Sequence, residues 1–225
     1  MIYNNVRKAE FVIRRNRFIC DIIIDGNIEK CHVKNTGRLG ELLIPGAEIY
    51  VTVSDNMQRK TKYDLVTVVK DGKYINVDSF APNIVVGEYL RRLYPDGKII
   101  AEKSFGYSRF DFYAENGVEK TYIEVKGVTL FRDGFALFPD APTERGIKHL
   151  HELVQCVKEG YTAKVFFVIA SDFGGKISFS PNRALGNDFA DALSFAAQNG
   201  VEICAFDCSV SQDSLCIKEQ VPVVL

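Results

Sequence analysis

Apolar and polar positions alternate in short bursts through the first third of the chain. The stretch EFVIRRNRFICDIIIDG is rich in β-branched and aromatic residues and stops at Asp25-Gly26, a hairpin signal. IEKCHVKNTG follows and breaks at Asn35-Thr36-Gly37. Glu41 to Ile44 runs into Pro45-Gly46, and AEIYVTVSD and TKYDLVTVVKDGKYINV complete the set. Around five short strands with turns between them, over residues 1–80, predict a small β-barrel of the oligonucleotide-binding (OB) type.

The period changes after residue 80. NIVVGEYLRRLY offers Val85, Leu90 and Leu93 to one helical face and ends at Pro95-Asp96-Gly97. Three strand-like runs follow, KIIAEKSF, RFDFYAE and KTYIEVKGVTLF. A fourth, GFALF, is placed to turn back on the third through Arg132-Asp133-Gly134. TERGIKHLHELVQCVKEG reads as a helix opened by a Thr143 cap and closed by Gly160. AKVFFVIA is a continuous apolar run, as expected of a strand buried on both faces. A polar loop, the helix DFADALSFAAQNG and a last buried strand VEICAFD complete the pattern. Its order predicts an α/β domain with a mixed sheet over residues 81–225, so the chain is expected to be an α+β protein of two domains.

Composition narrows the class. No apolar run approaches the roughly 20 residues that a membrane helix needs. The N-terminus carries too many charges for a secretory signal, so a cytoplasmic location with no membrane partner is expected. The six cysteines form no CxxC pair, which argues for reduced thiols rather than a zinc site. Net charge is −1, but residues 1–70 hold 12 Lys and Arg against 8 Asp and Glu, and the remainder is acidic. A basic front joined to an acidic back suits a phosphate-binding module beside a metal-binding one.

The candidate chemistry lies in DFYAENGVEKTYIEVKG, residues 111–127. Glu124 and Lys126 are two apart on one strand and leave the same face. Asp111 is on the preceding strand, and a hairpin turning within Glu115 to Lys120 would bring it near them. Such charges either pair at a solvated surface or hold a metal. Two carboxylates and a nearby carbonyl can bind a hard divalent ion, with waters completing the octahedron. Such an ion activates water and neutralises phosphate charge, while a lysine beside it orients the water and stabilises the transition state.

Asp on one strand and Glu-x-Lys on the next, after a helix bearing Glu88, resembles the PD-(D/E)XK nuclease superfamily. More specifically, HVKNTGRLGELLIPG, SRFDFY, YIEVKGVTL, FPDAPTERGIKHLHEL and VFFVI resemble the sugar fermentation stimulation protein A (SfsA) family, in family order along nearly the whole chain. The resemblance implies an N-terminal OB-like DNA-binding domain and a C-terminal PD-(D/E)XK nuclease-like domain. It implies Asp111 and Glu124 as metal ligands, Lys126 as the catalytic lysine, and Mg²⁺ or Mn²⁺ as the cofactor. Glu88 could add a water-mediated ligand, with Glu102 as a competing acid on the first strand. Asp111 is preceded by Phe110, where the superfamily pattern has a variable proline.

Further candidates surround this core. Arg14, Arg15, Arg17, Lys34, Arg38, Arg59, Lys60 and Lys62 could track a phosphate backbone, and Phe11, Phe18 and Tyr50 could stack on bases, although the phenylalanines fit a core better. Thr143 opens a helix whose free N–H groups could meet phosphate, with Arg145, Lys148 and His149 in its first two turns. A solvated helix face is the plain alternative for Lys148, His149 and His151, and capping for Asp140 and Thr143. The expectation is a DNA-binding protein, with RNA as a second polynucleotide, that hydrolyses phosphodiester bonds. The alternative is a non-catalytic DNA-binding transcriptional regulator of sugar metabolism genes. The sequence leaves oligomeric state open, a homodimer included.

Overall fold

Ala9 and Phe11 are buried two apart, as a one-sided strand requires, whereas Cys20, Asp21 and Ile22 are buried in succession. A computed structural model describes residues 1–56, 58–173 and 176–225. The described chain divides into two compact units. The first comprises Met1–Ala81 with Ala170–Phe173 and Cys208–Cys216, and the second Pro82–Ile169, Gly174–Asp207 and Ile217–Leu225.

The first unit contains β1 (Val6–Arg14), β2 (Ile19–Ile24), β3 (Asn27–Val33), β4 (Glu48–Val53), β5 (Tyr63–Lys70) and β6 (Lys73–Asn76). They pair in the order β3-β2-β1-β4-β5-β6. A parallel β3–β5 pairing at Cys31↔Tyr63 closes five strands into the expected barrel. Register shifts at Phe11/Ile13 and Tyr50/Val51 supply the bends that closure needs. Phe11, Ile22, Ile49, Leu65 and Val68 fill its interior. The run read as EFVIRRNRFICDIIIDG is two strands. It breaks where the Asn16 carboxamide oxygen accepts from the Phe18 and Ile19 amides. Glu41 to Ile44 is a turn, in which the Leu42 and Leu43 amides donate to the Leu39 carbonyl.

Late segments complete this unit. The Asn76 amide donates to the Ala170 carbonyl, Ile75 bridges Ser171, and the Met1 amino group donates to the Leu215 carbonyl at 2.8 Å.

The second unit begins with α1 (Ala81–Leu93) and continues through β7 (Lys98–Phe105), β8 (Ser108–Asn116) and β9 (Glu119–Val128). A hairpin follows, β10 (Leu130–Arg132) and β11 (Phe135–Phe138), turning at Asp133-Gly134, both at positive φ. Then come α2 (Glu144–Lys158), β12 (Thr162–Ile169), β13 (Ser178–Pro181), α3 (Asp188–Gln198), β14 (Glu202–Val210) and β15 (Leu215–Val221). The main sheet runs β15-β14-β12-β9-β8-β7. β12 is parallel to β9 and β14, and β8 is antiparallel to β7 and β9, which makes the sheet mixed. The apolar run Val165–Ile169 lies buried between two parallel neighbours, as its pattern predicts.

Two strands escaped the sequence pattern. β15 reads LCIKEQV, with charges on its exposed positions, as suits the edge of the sheet. β13, only four residues long, pairs with β11 in a small second sheet. Of the polar loop expected after β12, residues 174–175 lie outside the described residues. α2 buries Gly146, His149, Leu150, Leu153 and Val154 as one stripe.

Candidate active site

The β8–β9 hairpin turns at Gly117, which takes φ 61°. Its ladder runs from Asn116↔Glu119 to Phe112↔Ile123. One step further, the same register sets Asp111 opposite Glu124. Asp111 Oδ2 accepts from the Val125 amide at 2.7 Å. Its Oδ1 accepts from the Asn83 side-chain amide, also at 2.7 Å. The expected convergence of Asp111, Glu124 and Lys126 is therefore present, and Asn83 is an addition from α1.

Asn83 reaches Asp111 because α1 starts tight against β9. A Cβ on Gly127 would lie 2.9 Å from Pro82 Cγ. Gly127 is absent from the positive-φ residues, so its role is steric: it makes room for the first turn of the helix. Pro82 suits that turn because its ring pre-sets φ and its missing N–H has no helical partner to lose.

Glu124 is 4 % exposed. Its Oε1 accepts from Lys126 Nζ at 2.5 Å and also meets His149 Nδ1 on α2. Its Oε2 is buried with no hydrogen-bond partner among the described residues. Burial of Glu124 opposes its ionisation, but the His149 hydrogen bond and the Lys126 charge outweigh it and hold the carboxyl below its usual range. Asp111 behaves oppositely. Burial raises its pKa and the Glu124 charge adds to that, against partial relief from Val125, Asn83 and Lys126.

A buried bare oxygen on one acid, beside a second acid resisting ionisation, is the electrostatic signature of a place suited to a cation. No group of three His, Cys, Asp or Glu among the described residues is placed to hold a metal. Any ion here would rest on two carboxylates, with carbonyl oxygens and waters making up the shell. Mg²⁺ and Mn²⁺ suit that donor set. Glu88 is half-buried on α1 and does not join Asp111 and Glu124 in such a group. Glu102 is exposed on β7, at φ 55°, and pairs with Arg109 at 3.4 Å. Asp140 is half-buried in the loop before α2. Thr143 is a cap, its Oγ1 accepting from the Gly146 amide at 3.1 Å.

His149 departs from the solvated face allowed for it. It is 5 % exposed and lies in the apolar stripe of α2, whereas His151 is exposed and faces the Phe195 ring. The helical period carried this signal, since His149 stands three residues after Gly146 and four before Leu153. Phe110, at the variable proline position, is fully buried and meets the His149 ring edge-on at 6.0 Å between centroids.

The basic candidates separate into two kinds. Arg14 is no phosphate contact. Its guanidinium donates to the carbonyls of Asn35, Gly37, Arg38 and Arg17 at 2.7–2.8 Å, stapling the 35–38 loop to β1. Lys34 is turned inward to Asp78 at 2.6 Å, and Arg59 grips Asp64. Arg15, Arg17 and Arg38 are exposed, with Arg15 held to Asp21 at 2.6 Å. Arg15, Lys30 and Lys60 line an open groove of about 550 Å³ between the β1–β2 and β4–β5 loops. Lys30 is a member that the sequence did not single out. Phe11 is core and Tyr50 is buried, donating to Glu48, which leaves Phe18 as the exposed aromatic of the three. In the second unit Arg145 is exposed and donates through Nε to His149 Nε2, and exposed Lys148 pairs with Glu152 at 3.8 Å.

Comparisons with known proteins agree on one family. The model for the sugar fermentation stimulation protein RE domain matches residues 81–214. The model for the SfsA N-terminal OB domain matches residues 12–77. A sugar fermentation stimulation protein homolog of Clostridium beijerinckii is 50% identical over 228 residues, covering 100% of both chains. One from Desulfitobacterium hafniense is 50% identical over 217 residues, covering 96% of this chain and 94% of its own. The solved structure of Pyrococcus furiosus SfsA in complex with Ca²⁺ superposes with a TM-score of 0.88 at 29% identity, covering 100% of this chain and 98% of that one.

Proposed function

This chain belongs to the sugar fermentation stimulation protein family, and from that premise we propose that it is a metal-dependent nuclease of the PD-(D/E)XK kind, in which an OB barrel grips DNA and the second domain cuts it. The observation that carries the reading is the buried Asp111–Glu124–Lys126 cluster with its unpartnered Glu124 Oε2. The relative solved in complex with Ca²⁺ supports the choice of a hard, oxygen-seeking cation. The groove lined by Arg15, Lys30 and Lys60 supports a polynucleotide substrate, since two loops and the β2–β3 face of an OB barrel commonly track a nucleic-acid backbone.

Glu124 and Asp111 would hold a Mg²⁺ or Mn²⁺ ion, which when bound supplies Lewis acidity that activates water and offsets charge on the phosphate. Asn83 and the Val125 amide fix both Asp111 oxygens, so that carboxylate cannot rotate away. Lys126 stands on the same strand face as Glu124. There its ammonium orients the attacking water and stabilises the negative charge that grows on the phosphoryl oxygens. Arg145 and Lys148 lie exposed on the first turns of α2, where a flanking phosphate can reach them.

The test is cleavage of labelled single-stranded, duplex and branched DNA, and of RNA, with Mg²⁺, Mn²⁺ or EDTA. Wild type is compared with Asp111→Ala and Lys126→Ala. Metal-dependent cutting lost in both variants, with fold and DNA binding intact, is the expected result. Binding without cutting on every substrate, unchanged in both variants, would leave a non-catalytic DNA-binding regulator.

A further inference from the structure

Glu124 meets a buried histidine that has no part in the chemistry above. His149 comes from a different element, α2, and is as buried as the carboxylate that it meets. Its Nε2 lies 3.4 Å from Nε of the exposed Arg145. Glu124 is held ionised and can only accept, so Nδ1 carries the proton that is donated to it.

The way the donors are shared is the informative part. Nδ1–H of His149 and Nζ of Lys126 both engage Oε1, while the equally buried Oε2 has none. A buried carboxylate serving only the fold is satisfied best with donors on both oxygens, because a bare buried oxygen carries a desolvation cost. Crowding both donors onto Oε1 pins the carboxylate by one end and presents the other. The imidazole cannot drift, because the Phe110 ring stands edge-on to it and the tight Gly146–Thr143 cap fixes the turn before it. Phe110 also immediately precedes Asp111 in the chain.

We propose that His149 is a positioning residue that aims Glu124 Oε2 at the divalent ion. This rests on the metal-dependent reading above. His149 touches neither substrate nor ion. It acts through Glu124, and its loss weakens ion binding without removing a ligand. Partners of this kind typically contribute ten- to a hundred-fold in metal affinity.

The experiment is titration of the whole protein with Mn²⁺, following free ion by electron paramagnetic resonance, with thermal unfolding as the folding control. His149→Phe keeps the ring volume and removes the donor. His149→Asn restores an N–H near the Nδ1 position. The phenylalanine variant is expected to raise the Kd for Mn²⁺ by about ten- to a hundred-fold. The asparagine variant is expected to recover most of that loss, and in cleavage kcat is expected to fall in the phenylalanine variant while KM for DNA holds. Should His149→Phe not fold, His149→Leu is read in its place. Wild-type Mn²⁺ affinity in the donor-less variant would overturn the proposal, as would equal loss in both variants, since volume rather than the N–H would then matter. If wild type binds no Mn²⁺ that Asp111→Asn and Glu124→Gln abolish, the metal-dependent reading itself fails and the proposal falls with it.

Discussion

Gly127→Ala tests whether the close approach of α1 to β9 builds the site. The added Cβ would sit 2.9 Å from Pro82 Cγ. That is short of the carbon–carbon optimum of about 3.5–4.0 Å by roughly 0.6–1.1 Å. A change of ring pucker can move Pro82 Cγ only part of that way, because the ring is tied to the helix backbone, so the first turn must move for the rest. Overpacking of this kind costs about 1–3 kcal/mol. At about 2–4 °C per kcal/mol for a chain of this size, the midpoint of thermal unfolding should fall by roughly 2–12 °C. The same shift would carry Asn83 from 2.7 Å towards the limit of hydrogen bonding to Asp111, about 3.2 Å, and weaken Mn²⁺ binding. Urea unfolding followed by circular dichroism gives the stability, and calorimetric titration with Mn²⁺ gives the site. Pro82→Ala removes the atom that is struck, so Pro82→Ala/Gly127→Ala should recover about 1–2 kcal/mol relative to the sum of the single variants. Gly40→Ala, with nothing within 4 Å of its added Cβ, is the control. A Gly127→Ala protein within about 0.5 kcal/mol of wild type and with unchanged Mn²⁺ affinity would refute the reasoning.

Asp111→Asn should abolish Mn²⁺ binding. The folded state holds the Asp111 carboxyl above its usual range, so its contribution to the stability of the ion-free wild type should fall as pH rises from below the ordinary carboxylate range to neutrality, which chemical denaturation across that range of pH measures against Asp111→Asn. Lys126→Met should keep Mn²⁺ binding yet lose at least about a hundred-fold in the single-turnover cleavage rate, as removal of a charge-stabilising donor does elsewhere. Arg14→Ala should cost at least about 2 kcal/mol in urea unfolding, because four loop carbonyls lose one charged donor, whereas Arg17→Ala should not. Lys60→Ala should lower the slope of log affinity for DNA against log salt by about 1, read by fluorescence anisotropy.

The strand chemistry was legible in the sequence because it obeys a period of two. A Glu and a Lys two apart share a face wherever the strand goes, and Gly117 allows the turn that returns Asp111. The barrel was legible from turn residues alone, even though the break inside EFVIRRNRFICDIIIDG depends on the Asn16 side chain capping two amides, a contact that polarity does not announce. What stayed hidden came from elements far apart in sequence. Arg14 looked like its neighbours Arg15 and Arg17, and only the fold of the 35–38 loop around it turns it inward. Asn83 had no local mark, since its role follows from Pro82 resting on Gly127. His149 lay on the apolar stripe of α2, but flanking Lys148 and His151 gave the segment a solvated look.

The interleaving of the two units bears on how the chain is made. The barrel strands are synthesised first, yet Asn76 pairs with Ala170 and Met1 with Leu215. On the ribosome the N-terminal unit therefore lacks its last contacts when its sixth strand emerges, and it gains them only from segments encoded near the other end of the message. N-terminal domains usually complete before the rest is translated. Here the barrel strands can pair through β3 and β5 alone, but a fragment cut after residue 81 should lack the contacts that residues 170–173 and 208–216 bring to the same unit.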